Sequence, residues 1–290
     1  MASVGWVTVS DLRSTASTAA HVTVDQVDSD PLLILARRLA SEAGAFLLRG
    51  WRQPRTSVET KSSTTDMVSE MDRGAETMIV QGILAQRPND AILGEEGTER
   101  EGTTGVRWII DPLDGTTSYL YGLASWCVSI GVERDGERYV GVIDVPVTSE
   151  QYWARKNAGA WRGDSPVRCT NAQALSHSLI GTGFSYSAER RAQQGVTAAR
   201  LLPEIRDIRR GGSAAADLCS VASGQLDAYY ETGCYPWDLA AGTLICREAG
   251  ALVSDLSGGE PSIAMCVAAP SSIHAALIDR LTEMNAQGPS

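Results

Sequence analysis

Apolar residues at helical spacing open the patterned part of the chain. Asp30-Pro31 supplies an N-cap followed by proline at the first helical position. Behind it Leu32, Leu35, Ala36, Leu39, Ala43, Phe46 and Leu47 recur every three or four residues, which predicts a core helix through Leu48. Val68, Met71, Ala75, Met78, Ile79 and Ile83 predict a second helix. Asp72 lies next to Met71 on that stripe and is expected to be partly buried, although a lone Asp there reads as a surface charge or cap. After residue 119 the pattern turns to strands. Cys127–Glu133 and Arg138–Val145 flank Asp135-Gly136, a strong hairpin signal, and Glu150–Arg155 and Gly159–Arg162 extend an antiparallel meander. From about residue 176, strands Leu179–Gly183, Leu226–Tyr230 and Ser262–Ala269 alternate with helices Ala188–Leu202, Ser213–Ser223 and Leu239–Ala249.

Two apolar runs end in acids. Ala91-Ile92-Leu93-Gly94 runs into Glu95-Glu96, and Trp108-Ile109-Ile110 runs into Asp111-Pro112-Leu113-Asp114-Gly115-Thr116-Thr117. Buried carboxylates must be paired, hydrogen-bonded or bound to a cation. No Lys, Arg or His lies between Ile109 and Gly131, so a hard cation is the natural partner, and Mg²⁺ prefers such oxygen ligands. Glu95 and Glu96 point to opposite sides of an extended chain, so one can reach the metal while the other meets solvent or a cation. Gly115 allows close backbone approach, and Thr116-Thr117 reads as the start of a short helix whose first amides attract phosphate. Metal ligands and a phosphate cradle within one turn make the layout of a metal-assisted phosphoryl-transfer site. Asp238 stands where a loop becomes a helix and reads as an N-cap. That role is compatible with metal binding, because a carboxylate has two oxygens. Lys61 to Asp66 reads as a polar loop with a helix cap, and residues 98–105 as a loop.

Charge and cysteine usage narrow the class. With 290 residues the chain can bury a full core, and its net charge of −10 argues against a broad nucleic-acid or anionic-membrane surface. A local basic patch around Arg206, Arg209 and Arg210 stays open. Six scattered cysteines without a CxxC pair read as reduced thiols of a cytoplasmic enzyme, and three histidines argue against a histidine-based metal site. No apolar run is long enough to span a bilayer, and residues 1–28 lack the pattern of a signal peptide. The expected organisation is a disordered extension over 1–29, then a helix pair with an antiparallel sheet over 30–175. An α/β half over 176–290 would complete one continuous catalytic unit.

Gly94-Glu95-Glu96, Asp111-Pro112-Leu113-Asp114-Gly115-Thr116 and Trp237-Asp238, in this order, resemble the inositol monophosphatase family. Lys61-Ser62-Ser63 through Asp66, Gly212-Ser213-Ala214-Ala215 and Asp227-Ala228-Tyr229-Tyr230-Glu231 support the likeness, which covers roughly residues 30 to 280. The resemblance implies an α/β fold, a five-layer α-β-α-β-α sandwich with the active site between its halves. It implies Mg²⁺-dependent hydrolysis of a phosphate monoester, foremost myo-inositol 1-phosphate, with lithium sensitivity and a homodimer. Glu95, Asp111 and the carbonyl of Leu113 would hold one Mg²⁺. Asp111, Asp114 and Asp238 would hold a second, and a third would sit near Glu95 and Asp72. Gly115 and Thr116 would bind phosphate, while the Thr116 hydroxyl, paired with Asp72, would orient and deprotonate the attacking water. Asp114, Ala214, Glu231 and Asp238 would contact substrate.

The departures concern substrate. Ser118-Tyr119 stands where the family often has Asn-Phe, and Ala124-Ser125-Trp126 where a Pro and an aromatic are common. Both are expected near the site entrance. Related enzymes acting on fructose 1,6-bisphosphate, histidinol phosphate or phosphoadenosine phosphate share the metal motifs. A rival class is a regulatory protein that binds transcription or RNA-processing machinery, as some bacterial relatives do.

Overall fold

The computed structural model describes residues 29–51 and 64–286; all but the last residue of the expected N-terminal extension, and Lys61-Ser62-Ser63, lie outside them. Helix α1 spans Pro31–Trp51 and α2 spans Thr64–Gln86. Asp30 caps α1 as its sequence implies: one carboxylate oxygen accepts from the Leu32 amide at 2.9 Å. Its other oxygen accepts from the Tyr139 hydroxyl at 2.6 Å, which ties the helix start to the sheet.

Both helices cover one face of an eight-stranded sheet in the order β2-β1-β3-β4-β5-β6-β7-β8. Its strands are β1 (Ala91–Gly94), β2 (Glu99–Arg100), β3 (Val106–Asp114), β4 (Cys127–Arg134), β5 (Glu137–Val145), β6 (Glu150–Arg155), β7 (Ala160–Arg162) and β8 (Ser165–Val167). The Asp135-Gly136 hairpin forms as expected, with both turn residues at positive φ (53° and 80°). Two expectations need correction. This sheet is not purely antiparallel, because β1 pairs parallel with β3. The segment 98–105, expected as loop, folds Glu99–Arg100 back as a short edge strand on β1, and that turn brings the chain round for the parallel pairing.

Short helix α3 (Thr116–Tyr121) links β3 to β4. A second sheet runs β10-β9-β11-β13-β12, from β9 (Leu179–Thr182), β10 (Asp207–Arg209), β11 (Ala228–Glu231), β12 (Ala251–Ser254) and β13 (Cys266–Pro270). It is mixed: β10, β9 and β11 run parallel, and β13 and β12 add on antiparallel. Helices α5 (Ala214–Ala222) and α6 (Pro236–Glu248) fill the space between the sheets, and α4 (Ala188–Leu201) and α7 (Ser271–Glu283) close the far face. The result is the five-layer α-β-α-β-α sandwich.

The inner helix layer explains several small residues. A Cβ at Gly141 of β5 would lie 2.6 Å from the Ala241 carbonyl oxygen, so glycine sets how closely α6 approaches the sheet. Leu239 to Cys246 is buried throughout, as expected of a helix with a sheet on either side. All six cysteines are free thiols. No helix among the described residues is long and apolar enough to cross a membrane.

Candidate metal and phosphate site

The site begins where β3 stops being regular. Residues three apart on an ideal strand face opposite sides, so Asp111 and Asp114 could not meet one ligand from an unbroken β3. The β3–β4 register shifts between these two residues, and the Asp111 carboxylate accepts from the Leu113 amide at 3.0 Å. Pro112 brings no amide hydrogen to the ladder, which suits it to this break. Gly115 then turns the chain at φ 93°, ψ 36°. A Cβ there would sit 2.6 Å from the Ser125 carbonyl oxygen, so both conformation and space call for glycine.

Asp114 and Asp238 are each held by a helix end. One oxygen of Asp114 accepts from the Ser213 hydroxyl and from the Ala215 amide, both at 2.7 Å. Ser213 is the N-cap of α5, and its hydroxyl also accepts from the Ala216 amide at 3.1 Å. Asp238 is not the N-cap expected from sequence. Tyr235 takes that place, Pro236 opens α6, and Asp238 sits in the first turn, reaching back to accept from the Tyr235 amide at 2.6 Å. Proline's preference for the first helical position moves the boundary three residues earlier.

Ligand oxygens of Asp111, Asp114 and Asp238 lie within 4.8 Å of one another. They line a pocket of about 280 Å³ shared with Glu95, Leu113, Gly115, Thr116, Ala214 and Glu231. Burial, then the charges of Glu95, Asp114 and Asp238, push Asp111 well above the usual carboxylate range. Burial and the Asp114 charge push Asp238 up to about 8, and burial pushes Glu95 up to about 7. Asp114 is raised by burial against the opposing pull of its three donors, Ser213, Ala215 and Gly115. Such a set of oxygen donors suits a hard divalent ion, and a cation would reverse every one of these shifts.

Asp72 departs from the surface reading. It is buried on α2, one of its oxygens has no hydrogen-bond partner, and burial with Glu96, Glu95 and Glu76 raises it to about 9. It stands beside Glu95 but does not line the pocket. The expected Thr116–Asp72 pairing is absent: the Thr116 hydroxyl donates to the Leu113 carbonyl at 3.1 Å, the nearest acceptor one turn back. The adjacent acids separate as expected, since Glu95 faces the pocket while Glu96 lies 3.4 Å from the Arg73 guanidinium. Glu76 organises this turn and was not legible in sequence. It accepts from the Glu96 amide (2.8 Å), the Thr98 amide (3.0 Å) and the Thr98 hydroxyl (2.6 Å).

On the other wall, Glu231 ends β11 and accepts from the Tyr229 hydroxyl; burial raises it to about 7. Asp217, also unread in sequence, lines the pocket from α5 and is raised to about 7 by burial and the Glu231 charge. The basic patch does not form as one surface. Arg209 pairs with Asp207, Arg206 donates to the His177 carbonyl, and Arg210 lines the pocket. Tyr119 and Trp126 are not at the entrance. Both are buried, with rings in edge contact at 5.0 Å, and the Tyr119 hydroxyl donates to the Leu47 carbonyl. Their apolar bulk fills the core beneath α3.

Fold and pocket together define a layered α/β protein with a carboxylate-rich site between two sheets. The model of the inositol monophosphatase family matches residues 28–286, and the chain belongs to that family. An inositol-1-monophosphatase of Mycobacterium bovis is 40% identical over 266 residues, covering 84% of this chain and 91% of its own. The Nus factor SuhB of Escherichia coli K12 is 38% identical over 231 residues, covering 79% and 86%. Among solved structures, Mycobacterium tuberculosis SuhB superimposes with a TM-score of 0.76 at 38% identity, covering 88% of this chain and 96% of that one. The inositol monophosphatase of Anabaena reaches 0.76 at 32% identity, covering 87% and 95%.

Proposed function

We propose that the chain is a Mg²⁺-dependent phosphate monoester hydrolase and that myo-inositol 1-phosphate is its substrate. The observation that carries this reading is the meeting of Asp111, Asp114 and Asp238 within 4.8 Å at the floor of a pocket that Glu95 also lines. Two or three Mg²⁺ ions would be held, the first by Glu95, Asp111 and the Leu113 carbonyl, the second by Asp111, Asp114 and Asp238. A third would lie near Glu95 and Asp72. Bound there, they would supply charge neutralisation and a water of lowered pKa.

The chain's own groups do the rest. The amides of Gly115 and Thr116 bind the phosphate, and Ala214 and Glu231 contact the polyol, Glu231 accepting hydroxyl hydrogen bonds. The Thr116 hydroxyl, turned from Leu113 to pair with Asp72, orients the attacking water and takes its proton while passing its own to Asp72, once the surrounding acidic charge is offset. Positioning of this kind is most of what slow phosphate-ester hydrolysis requires. The unit is continuous across residues 30–175 and 176–290, cytoplasmic, lithium-sensitive and homodimeric; the free cysteines support the compartment.

A panel of inositol 1-phosphate, fructose 1,6-bisphosphate, histidinol phosphate and phosphoadenosine phosphate, with Mg²⁺ and with EDTA, tests this. Preference for inositol 1-phosphate, abolished by EDTA, is expected. Preference for another ester keeps the mechanism and changes the substrate. A second reading, a regulatory binding role, is favoured by relatives carrying the name Nus factor SuhB. Under it, an inactive Asp111→Asn variant would retain full cellular function.

A further inference from the structure

Helix α2 carries two buried acids one turn apart, Asp72 and Glu76, and they are treated differently. Asp72 keeps an oxygen without a hydrogen-bond partner. Glu76 has three donors, all from the turn after β1: the Glu96 amide, the Thr98 amide and the Thr98 hydroxyl. On the other side of Glu95, a Cβ at Gly94 would lie 2.3 Å from a Glu76 carboxylate oxygen, so residue 94 leaves room for that carboxylate only as glycine. Glu76 therefore meets the backbone immediately before and immediately after Glu95. The turn also closes on itself, since the Gly94 amide donates to the Thr98 carbonyl at 2.7 Å, and the Glu95 amide donates to the Ile110 carbonyl at 3.1 Å.

Packing alone does not ask for a carboxylate at this place. Glu76 is 3% exposed, Asp72 and Glu95 add like charge beside it, and no cation pairs with it among the described residues; Arg73 pairs with Glu96 instead. Burying a charge among like charges is costly, and a fixed turn is what the three hydrogen bonds return. Glu95 depends on such a turn. Its side chain faces Asp111 and Asp114 across the pocket, and their charge drives it outwards. We infer that Glu76 is a positioning residue of the metal site: it clamps the backbone on both sides of Glu95 and so sets how tightly Glu95 holds its cation. The inference rests on the metal reading of Glu95 proposed above and is independent of the substrate.

The test counts Mn²⁺ ions bound to the full chain by electron paramagnetic resonance, Mn²⁺ standing in for Mg²⁺ as a hard, oxygen-seeking ion. Glu76→Gln replaces an accepting oxygen by a donor. It should weaken the ion that Glu95 holds about tenfold, as loss of an outer-shell partner does, and leave the ion at Asp114 and Asp238 nearly unchanged. Two variants separate positioning from charge. Thr98→Val removes one donor without changing charge and should weaken the same ion about threefold. Glu96→Gln removes a neighbouring charge, keeps its amide on Glu76 and should weaken that ion less than Glu76→Gln. In a Glu95→Gln background, Glu76→Gln should alter Mn²⁺ binding no further, whereas a merely structural role would weaken it in both backgrounds alike. Binding like the parent's in both Glu76→Gln and Thr98→Val, or an equal loss in both backgrounds, would overturn the inference. Should Glu76→Gln fail to fold, Thr98→Val decides alone. Absence of Mn²⁺ binding by the parent chain would remove the metal reading and this inference together. The expected pattern without phosphate release from any ester would keep this inference and remove the phosphatase reading.

Discussion

Asp90 and Asp111 are both buried in the first half of the molecule, one just before β1 and the other near the end of β3, and they are treated in opposite ways. Asp90 receives the Arg87 guanidinium at 2.7 and 3.1 Å, the Thr104 hydroxyl at 2.6 Å and the Trp108 indole at 2.9 Å. These donors hold its carboxyl below the ordinary range in spite of burial. Asp111 receives one amide, from Leu113, and otherwise faces Glu95, Asp114 and Asp238, so it is pushed well up. A buried acid surrounded by donors holds a fold together. A buried acid surrounded by acids is held for something the chain does not itself contain.

The difference can be sharpened by neutralising each acid. Asp111→Asn should lower phosphate release about a thousand-fold, because metal-ion stabilisation of the transition state is worth several kcal/mol. The same variant should melt higher than the parent in EDTA, since it removes one of the repelling charges. Asp90→Ala should do the reverse. It strands the Trp108, Thr104 and Arg87 donors and should cost about 3 kcal/mol in urea denaturation, with activity per folded molecule nearly kept.

The pH dependence of stability should separate the two regions by sign. Asp238 and Glu95 have folded values raised to about 8 and about 7, so the native state binds more protons than the unfolded chain. Metal-free protein should therefore lose stability as pH rises from about 4, the unfolded carboxylate value, towards 8. Asp90, held low, works the other way: its contribution is present above about 4 and is lost as pH falls through its folded value. Denaturation midpoints from pH 4 to 9 in EDTA should slope downward, and Mg²⁺ should flatten or reverse the slope. The smallest effect expected is that of Ser213→Ala. Loss of the hydroxyl that caps α5 and donates to Asp114 should cost about 1 kcal/mol in denaturation and weaken Mg²⁺ binding only modestly.

The same contrast explains what could be read in the sequence. Asp111, Asp114 and Glu95 were legible because each ends an apolar run, where a charge without a local partner stands out. The Asp135-Gly136 hairpin and α1 were legible because turn chemistry and helical period are local. Asp90 and Glu76 were not, because, Arg87 apart, their donors come from 14 to 22 residues away and only the fold assembles them. Strand β10, whose only apolar residue is Ile208, has no alternation to register. Helix α7 buries Ile273, Leu277 and Leu281 at a spacing of four, a helical pattern present in the sequence. The place of Tyr119 and Trp126 in a motif predicts the entrance, whereas their apolar area takes both into the core.

The central claim is that the acidic cluster is a divalent-cation site. Calorimetric titration of Mg²⁺ into metal-free protein at pH 7, repeated in buffers of different ionisation enthalpy, tests it most directly. The account predicts saturable binding that releases protons from the raised carboxylates, and loss of that binding in Asp111→Asn. Absence of binding, or binding that Asp111→Asn leaves unchanged, would contradict it.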